Sequence, residues 1–180
     1  MLKGLLDFLF ALILLLMLSP FLILVILLIW IIERKSAFFL QDRVGRNKRL
    51  FRIYKFRTMH DGQITPIGKV LRRTGIDELP QMVNILFGQM SFVGPRPLTQ
   101  ADLERLGWND EFHKKRWLVK PGIVGLAQLA PVCHKKMSWF YDQLYLKKQT
   151  IGLDLKIVIA AAIIPLVGKQ VIKNWIHGKR

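Results

Sequence analysis

The hydrophobic positions of the chain are concentrated in one long block near its beginning. No charged residue occurs from Phe8 to Ile32, and most of the residues there are leucine or isoleucine. A straight helix of about 25 residues is about 37 Å long, which exceeds the hydrocarbon core of a bilayer, about 30 Å thick. The block therefore predicts one membrane helix. Because no other apolar stretch is as long, the pattern excludes a polytopic membrane protein.

A Ser19-Pro20 pair interrupts the middle of this block. Proline removes one backbone donor and clashes with the carbonyl group four residues earlier, while a serine hydroxyl can bond to a nearby backbone group. The halves on either side, Phe8–Leu18 and Phe21–Ile32, are each too short to cross alone. Two shapes are consistent with the pattern: a kinked helix that spans the membrane, and a re-entrant helical hairpin that dips into the bilayer and returns.

Patterns in the remainder predict a mainly helical fold of class α+β. Residues 37–59 are rich in aromatic and β-branched side chains on both sides of a turn at residues 45–47, which is typical of extended structure. A loop is predicted over residues 60–66. A short helix or turn is predicted at residues 67–73, and helical patterns follow at residues 75–88, 102–118 and 138–148.

The apolar stretch at residues 157–168 has two interpretations. It is too short to span a bilayer and Pro165 interrupts it, while Lys156, Lys169 and Lys173 flank or follow it. A helix lying in the membrane interface has this pattern, because its apolar side is buried and its lysines reach the headgroups. A helix in the core of the protein has the same pattern.

Composition and charge limit the class of protein and its partners. Hydrophobic residues make up 52% of the chain, which argues against disorder, and a single cysteine, Cys133, excludes a fold held by disulfides. Lysine and arginine number 28 against 12 acidic residues, a net charge of +16. Basic segments beside a membrane helix are retained in the cytoplasm and attracted to anionic lipid. The larger, C-terminal part of the chain is therefore expected in the cytosol.

Few residues carry a recognisable chemistry. The four histidines lack the spacing of metal ligands, and the chain has neither a GxGxxG pattern nor a P-loop. What remains is the acidic pair Asp77-Glu78 in a basic sequence. A purely structural alternative exists for Asp77, because an aspartate at the start of a helix is a common N-cap. The cations nearest in sequence or motif are Lys55, Arg57, Arg72, Arg73 and Arg96.

Such a set of residues is suited to phosphoryl transfer. A carboxylate is ionised at pH 7, but it is a weak nucleophile towards a diphosphate because both are anionic. Arginines and a divalent cation would cancel that repulsion and position the phosphorus atom. Mg²⁺ takes oxygen ligands and often joins one or two carboxylates to substrate phosphates. One carboxylate could therefore attack while its neighbour holds the metal.

Several long motifs, in register over nearly the whole chain, carry a resemblance to a known family. They are DRVGRN at 42–47, RIYKFRTM at 52–59, DELPQ at 77–81, MSFVGPRPL at 90–98, KPGIVGLAQ at 120–128 and LDLKI at 153–157, together with the Ser19-Pro20 break. In these motifs the chain resembles the bacterial sugar transferases, monotopic phosphoglycosyl transferases that begin glycan assembly on a polyprenol carrier. It is similar to their minimal form, without an additional N-terminal domain.

The resemblance implies an enzyme that moves a sugar 1-phosphate from a UDP-sugar to undecaprenyl phosphate, releases UMP and uses Mg²⁺. It implies that Asp77 is the nucleophile, which forms a covalent phospho-sugar intermediate, and that Glu78 binds the metal ion. The cationic positions that match those around the donor phosphates are Lys55, Arg72, Arg96 and, as a weaker candidate, Arg57. Membrane lipids are implied as partners and nucleic acid is not; self-association is left open.

The resemblance also implies a division of the chain and its place in the cell. Residues 1–35 would form the re-entrant membrane helix, with both ends on the cytoplasmic side of the bacterial inner membrane. Residues 36–180 would form a cytosolic catalytic domain with interfacial C-terminal helices. One departure concerns the stretch after Gln128, where the family commonly has Val-Asn-Gly-Arg and this chain has Leu129-Ala130-Pro131-Val132. An arginine that could help to recognise the donor is therefore absent from that position.

Two rival functions remain from other classes. A membrane-tethered basic module could bind nucleic acid or anionic lipid without catalysis, because phosphate contacts from many lysines and arginines supply affinity. Such binding would fall steeply with salt and would not depend on Asp77. The second rival is a scaffold subunit that keeps the fold without activity. The departure from the family sequence after Gln128 is the observation that supports it.

Overall fold

The computed structural model describes residues 2–130 and 134–167, with side chains through residue 164. The fold is mainly helical with short strands, which confirms the predicted class. Its helices are α1 (Leu2–Glu33), α2 (Pro66–Thr74), α3 (Met82–Leu86), α4 (Gln100–Leu106), α5 (Leu126–Leu129), α6 (Lys135–Lys148) and α7 (Ile151–Val167). Its strands are β1 (Phe38–Val44), β2 (Leu50–Phe56), β3 (Met59–His60), β4 (Gln63–Ile64), β5 (Ser91–Val93) and β6 (Gly122–Val124). Three 3₁₀ turns lie at Arg46–Lys48, Ile76–Gln81 and Glu111–Leu118.

The predicted membrane segment is one helix, α1, and helical structure continues through Pro20. The Ser19 hydroxyl donates to the carbonyl oxygen of Leu16 at 2.8 Å, the local bond expected of a serine beside a proline. Among the described residues, α1 alone has the length and apolar composition to cross a membrane. The pair therefore does not divide the segment into two separate helices, and the re-entrant path stays a prediction.

Most of the large apolar side chains of α1 are exposed. Its buried positions are Ala11, Leu22, Val25 and Ile29, and the last three recur at the spacing of one helical face. This face packs on α3. An exposed apolar surface of this length is unfavourable in water, so the helix is suited to a lipid environment.

The chain forms two compact units, each of which is described by itself. The first comprises Met1–Asp42 with Arg52–Gly88, and the second comprises Arg43–Phe51 with the chain from Gln89 onward. The strands β1 and β2 pair with each other, and each contributes residues to both units. The division at residue 35 between membrane and cytosol stays a prediction.

The second unit contains two apolar cores. In one, the parallel pair β5–β6 packs with α5, α6 and α7, and the buried side chains include Val93, Leu126, Tyr141, Tyr145 and Ile157. The other core is largely aromatic and consists of Val44, Leu98, Leu103, Trp108, Trp117 and Trp139. Parallel strands only three residues long need such cover on their faces, because they bury little surface themselves.

Two predicted boundaries are wrong. The predicted helix at 102–118 is two elements, because Gly107 adopts a left-handed conformation (φ 64°) that ends α4, and a 3₁₀ turn follows from Glu111. The predicted loop at 60–66 contains the hairpin β3–β4, in which Met59 pairs with Ile64 and His60 with Gln63. Residues 61 and 62 have positive φ, as a two-residue hairpin turn requires.

The apolar stretch near the C-terminus belongs to α7, which begins at Ile151, earlier than predicted. One of its faces is in the core, since Ile157 and Ala160 are buried. Ile159 and Ile163 are exposed. The core interpretation is thus confirmed for one face, and an interfacial role for the exposed face stays a prediction. Lys169 and Lys173 lie outside the described residues.

Candidate active site

The acidic pair lies directly after a sharp reversal of the chain. Helix α2 ends at Gly75, which has a left-handed conformation (φ 75°) that glycine adopts without steric cost. The 3₁₀ turn that follows contains Asp77 and Glu78 in its first turn, and the Glu78 amide donates to the carbonyl oxygen of Gly75 at 3.1 Å. Gly75 itself holds the N-cap position. The alternative of Asp77 as an N-cap is therefore wrong, and no capping duty occupies its carboxylate.

Helix α2 is held tightly against the end of the β2 segment. A Cβ atom on Gly68 would lie only 2.2 Å from the carbonyl oxygen of Thr58, so only glycine allows this approach. At the start of the helix, the Thr65 hydroxyl accepts from the Gly68 amide at 3.0 Å. One turn further on, Arg72 donates from Nε to the Thr58 hydroxyl at 2.8 Å. These contacts fix where Arg72 emerges.

Lys55 is the direct partner of the acidic pair. Its Nζ lies 2.6 Å from Oε1 of Glu78, and the two side chains are 17% and 25% exposed. The strand that carries Lys55 is anchored from α3 by Asn84, which is fully buried. The Asn84 amide group accepts from the Tyr54 backbone N–H at 3.1 Å and donates to the Arg52 carbonyl oxygen at 2.7 Å. Asn84 thereby joins β2 to the helix that follows the acidic pair.

The Asp77 carboxyl lies in an environment of opposing influences. Burial is the largest, and it raises the pKa of Asp77 above its ordinary value. The neighbouring Glu78 carboxylate raises the pKa further, while the charges of Lys55 and Arg72 lower it. The groups that act on the Asp77 carboxyl are thus three other predicted site residues: Glu78, Lys55 and Arg72. A partly desolvated carboxylate surrounded by cations has the character expected of a functional group.

The remaining two predicted phosphate ligands are placed differently. Arg57 directs its guanidinium to the backbone, where Nε donates to the carbonyl oxygen of Ser36 at 2.8 Å and Nη2 to that of Phe38 at 3.2 Å. Arg57 thus ties the segment after β2 to the loop before β1 and to the start of β1. Arg96 belongs to the second unit and has an exposed side chain on the segment after β5.

The acidic pair is suited to a metal that uses few protein ligands. Within residues 2–130 and 134–167, no group of three or more acidic, histidine or cysteine side chains is placed to hold a metal ion. Mg²⁺ commonly keeps several waters and binds through one or two carboxylates plus substrate phosphates. Two adjacent carboxylates of which one is half-buried fit that donor set, whereas a structural zinc site requires four protein ligands.

The sequence patterns assigned no role to three residues that hold parts of the structure in place. Asn84 and Thr58 anchor the strand and helix that carry Lys55 and Arg72, and Arg116 is buried in the second unit. A signal was available for Asn84, which is the one strongly polar residue in the apolar run from Met82 to Phe87. A buried amide in such a run requires partners.

Comparison with known proteins places these residues in a family. The family model described as "Bacterial sugar transferase" matches residues 1–168. A UDP-N-acetylgalactosamine-undecaprenyl-phosphate N-acetylgalactosaminephosphotransferase of Aeromonas hydrophila is 36% identical over 171 residues, which cover 84% of this chain and 40% of that protein. A UDP-glucose:undecaprenyl-phosphate glucose-1-phosphate transferase of Klebsiella pneumoniae is 32% identical over 191 residues, 93% of this chain and 41% of that protein.

These two relatives are much longer than the present chain, which spans about two fifths of each of them. A relative of similar length is the exopolysaccharide production protein PSS of Rhizobium leguminosarum, which is 34% identical over 190 residues that cover 90% of this chain and 94% of that protein. The family match extends over α1, both carboxylates of the site and all of the cations around them. The chain belongs to the bacterial sugar transferase family.

Proposed function

We propose that this chain is a phosphoglycosyl transferase that moves a sugar 1-phosphate from a UDP-sugar to undecaprenyl phosphate and releases UMP. The observation that carries the proposal is the half-buried Asp77 carboxylate, beside Glu78 and between the charges of Lys55 and Arg72. The names of the relatives supply the substrate classes, since those proteins are described as undecaprenyl-phosphate sugar phosphotransferases. Glycan assembly on a lipid carrier would be the pathway.

The proposed reaction has two displacements at one phosphorus atom. In the first, a carboxylate oxygen of Asp77 bonds to the phosphorus that carries the sugar, and the bond from that phosphorus to the bridging oxygen breaks, so UMP leaves with the electron pair. In the second, an oxygen of undecaprenyl phosphate bonds to the same phosphorus and the Asp77 carboxylate leaves. The product is the undecaprenyl diphosphate sugar. No proton transfer is required of Asp77 in either step, because it reacts and departs as a carboxylate.

The residues around Asp77 have distinct parts in this scheme. Lys55 and Arg72 would offset the negative charge of the diphosphate, which otherwise repels the attacking carboxylate. Glu78 would hold Mg²⁺, which supplies charge neutralisation at the phosphate oxygens when it is bound. Arg96, whose position matches a phosphate-binding arginine of the family, would bind a donor phosphate. Arg57 is the weaker candidate, because its guanidinium already donates to two carbonyl oxygens.

The membrane arrangement is part of the same proposal. Undecaprenyl phosphate is confined to a bilayer, and α1 supplies an apolar surface that would hold the site beside it. We propose that α1 is re-entrant about Ser19-Pro20, that both of its ends face the cytoplasm at the bacterial inner membrane, and that the exposed face of α7 lies in the interface. With Cys133 replaced by serine, cysteines introduced at Lys3 and Ser36 should react with a membrane-impermeant reagent from the same side. Labelling from opposite sides would restore the spanning helix.

The decisive experiment measures UMP release by the purified full chain with polyprenol phosphate, Mg²⁺ and a panel of UDP-sugars. Mass spectrometry after incubation with donor alone should find a sugar-phosphate adduct on Asp77. Asp77→Asn should abolish both signals while leaving membrane association intact. Asp61→Asn is the matched control, because Asp61 is an exposed aspartate of the same unit and its positive φ of 48° suits asparagine. Full turnover in Asp77→Asn would show that Asp77 is not the nucleophile. Salt-sensitive anion binding without turnover, unchanged in Asp77→Asn, would favour the non-catalytic basic module.

A further inference from the structure

The segment from Gly94 to Leu98 of the second unit is held at almost every peptide group. Its backbone oxygens accept bonds at Pro95 from the Gly122 amide (3.0 Å), at Pro97 from Nη1 of Arg43 (3.1 Å) and at Leu98 from the Val44 amide (2.8 Å). Pro95 and Pro97 are buried, whereas the side chain of Arg96 between them is exposed. We call residues 94–98 the Arg96 strap. Its construction presents one guanidinium from a fixed backbone.

Proline chemistry strengthens this constraint. Each of the two prolines fixes its own φ, and Pro97 also restrains the backbone of Arg96, which precedes it. Restraint at Arg96 itself then depends on what holds its carbonyl group. That group accepts from Nη2 of Arg116 at 2.6 Å, the shortest of the bonds to the strap oxygens.

Arg116 is buried and binds groups of the protein itself. Its side chain is 3% exposed, and its Nε donates to Oδ2 of Asp142, also 3% exposed, at 2.9 Å. The guanidinium carbon lies 4.9 Å from the ring centre of Trp117 and 5.4 Å from that of Trp108. The carboxylate, the strap carbonyl and two indole faces therefore surround the charge.

A buried ion pair of this kind is poorly explained by stability alone. Removing two charges from water costs several kcal/mol, roughly what their attraction returns, and well-packed apolar residues of the same volume are often as stable. Burial raises the pKa of Asp142, although the charge of Arg116 and its hydrogen bond lower it. The raised pKa reflects the same cost of removing the carboxylate from water. A charged donor does, however, bind a carbonyl oxygen more strongly than a neutral one.

We propose that Arg116, oriented by Asp142, is a positioning residue that fixes the Arg96 backbone and thereby the point from which the Arg96 guanidinium reaches an anionic group of the substrate. The inference rests on the proposed function, in which that group is a phosphate of the UDP-sugar. A backbone that is already fixed loses less conformational entropy when its side chain binds a ligand. Arg116 contributes to donor affinity through Arg96 and does not contact the donor.

The test is a double-mutant cycle on donor binding, measured by calorimetry with a UDP-sugar on the full chain. All variants carry Asp77→Asn, so that binding is measured without turnover. Arg116→Lys keeps the charge beside Asp142 but replaces the fork of donors with one nitrogen. We expect Arg96→Ala and Arg116→Lys each to weaken binding by about 10-fold, and the combined variant to be no weaker than the worse single variant. Arg105→Lys, at an exposed ion pair with Asp102, is the matched control and should bind as the parent does.

Each other result has a defined meaning. If the Arg96→Ala and Arg116→Lys effects multiply, Arg116 acts independently of Arg96 and the positioning role is wrong. If Arg116→Lys binds normally while Arg96→Ala is weak, the inference is also wrong although the proposed function survives. If Arg96→Ala binds normally, Arg96 is no phosphate ligand and the inference falls with that assignment. If Arg116→Lys fails to fold, Arg116→Gln with Asp142→Asn replaces it in the same cycle, because that pair removes both charges together.

Discussion

Two ion pairs of this protein join a carboxylate to a cation at similar distances in very different surroundings. Lys55 and Glu78 are 2.6 Å apart, and their side chains are 17% and 25% exposed. Arg116 and Asp142 are 2.9 Å apart, and their side chains are each 3% exposed. Partly solvated charges can exchange partners at little cost, because water compensates the loss. Charges in a low-dielectric interior cannot, because the abandoned partner stays unpaired. The first pair is therefore suited to chemistry and the second to holding structure.

The same difference extends to their neighbours. Beside the first pair lies Asp77, a further carboxylate whose pKa is raised by burial and by Glu78, so this region concentrates charge that the fold does not neutralise fully. Beside the second pair lie two indole rings and a backbone carbonyl group, which face the guanidinium. Two neighbouring carboxylates repel each other in the free protein, and a bound cation would relieve that repulsion. Active sites commonly have this arrangement.

The largest expected effect comes from breaking the buried pair. Asp142→Ala leaves the Arg116 guanidinium buried without its carboxylate, and we expect a loss of about 3–5 kcal/mol in the free energy of unfolding. Chemical denaturation of the purified protein measures it. The combined variant Arg116→Met with Asp142→Leu should recover most of this stability, since it removes both charges and keeps the volume. A single Asp142→Ala as stable as the parent would show that the two pairs do not differ in kind.

The partly exposed pair of Lys55 and Glu78 should affect activity more than stability. Glu78→Gln should lower turnover by about 10²-fold or more, because the residue proposed to hold the metal loses its charge. Its free energy of unfolding should change by no more than about 1 kcal/mol, as for other partly exposed pairs. UMP release and denaturation, measured on the same preparation, separate the two effects. Glu104→Gln, at an exposed glutamate of α4, is the control and should change neither quantity.

The contact that places Arg72 can be tested through one methyl group. Gly68→Ala puts a Cβ atom 2.2 Å from the Thr58 carbonyl oxygen, so α2 must shift, at a cost of about 1–3 kcal/mol. Gly152→Ala is the matched control in α7, because nothing lies within 4 Å of its Cβ position. It should stabilise by up to about 1 kcal/mol, since alanine is the better helix former. Equal effects at both glycines would mean that α2 does not pack closely on Thr58.

Sequence patterns predicted the elements whose causes are local. The long apolar block, the turn between β1 and β2 and the helix that follows Thr65 all depend on neighbouring residues, and all three are confirmed. The break within 102–118 was missed, although Gly107 marks it, because a tertiary fold decides whether a glycine is an interior or a terminal residue of a helix. The β3–β4 hairpin was missed because its strands have two residues each, which is below what any periodic pattern can indicate.

Part of the candidate site could likewise be predicted from the sequence, and part could not. The acidic pair is visible in the sequence as an island of negative charge, and the motifs around it carry a family resemblance. The roles of the arginines are not visible in the sequence. Arg57 binds backbone carbonyl groups that are 19 and 21 residues away in the chain, and Arg116 binds one that is 20 residues away. A guanidinium in a basic sequence is equally suited to a phosphate and to a carbonyl oxygen, so only the tertiary contacts assign it.

The smallest expected effects concern pH, and they test the electrostatics of Asp77 directly. Its carboxylate must be ionised to attack, so adduct formation from donor alone should be lost as the pH falls through the raised pKa of Asp77. Lys55→Gln removes a charge that lowers this pKa, so the acid limb of the profile should move to higher pH. Arg72→Gln should move it in the same direction but less, because the influence of Lys55 is the larger of the two.

Glu78→Gln provides the opposite sign in the same experiment. Glu78 raises the pKa of Asp77 by repulsion, so its neutralisation should move the acid limb to lower pH, even though the overall rate falls. Displacement in opposite directions for Lys55→Gln and Glu78→Gln would therefore identify the titrating group as Asp77. A midpoint that stays fixed in both variants would assign the limb to another group and remove the electrostatic basis for treating Asp77 as the nucleophile.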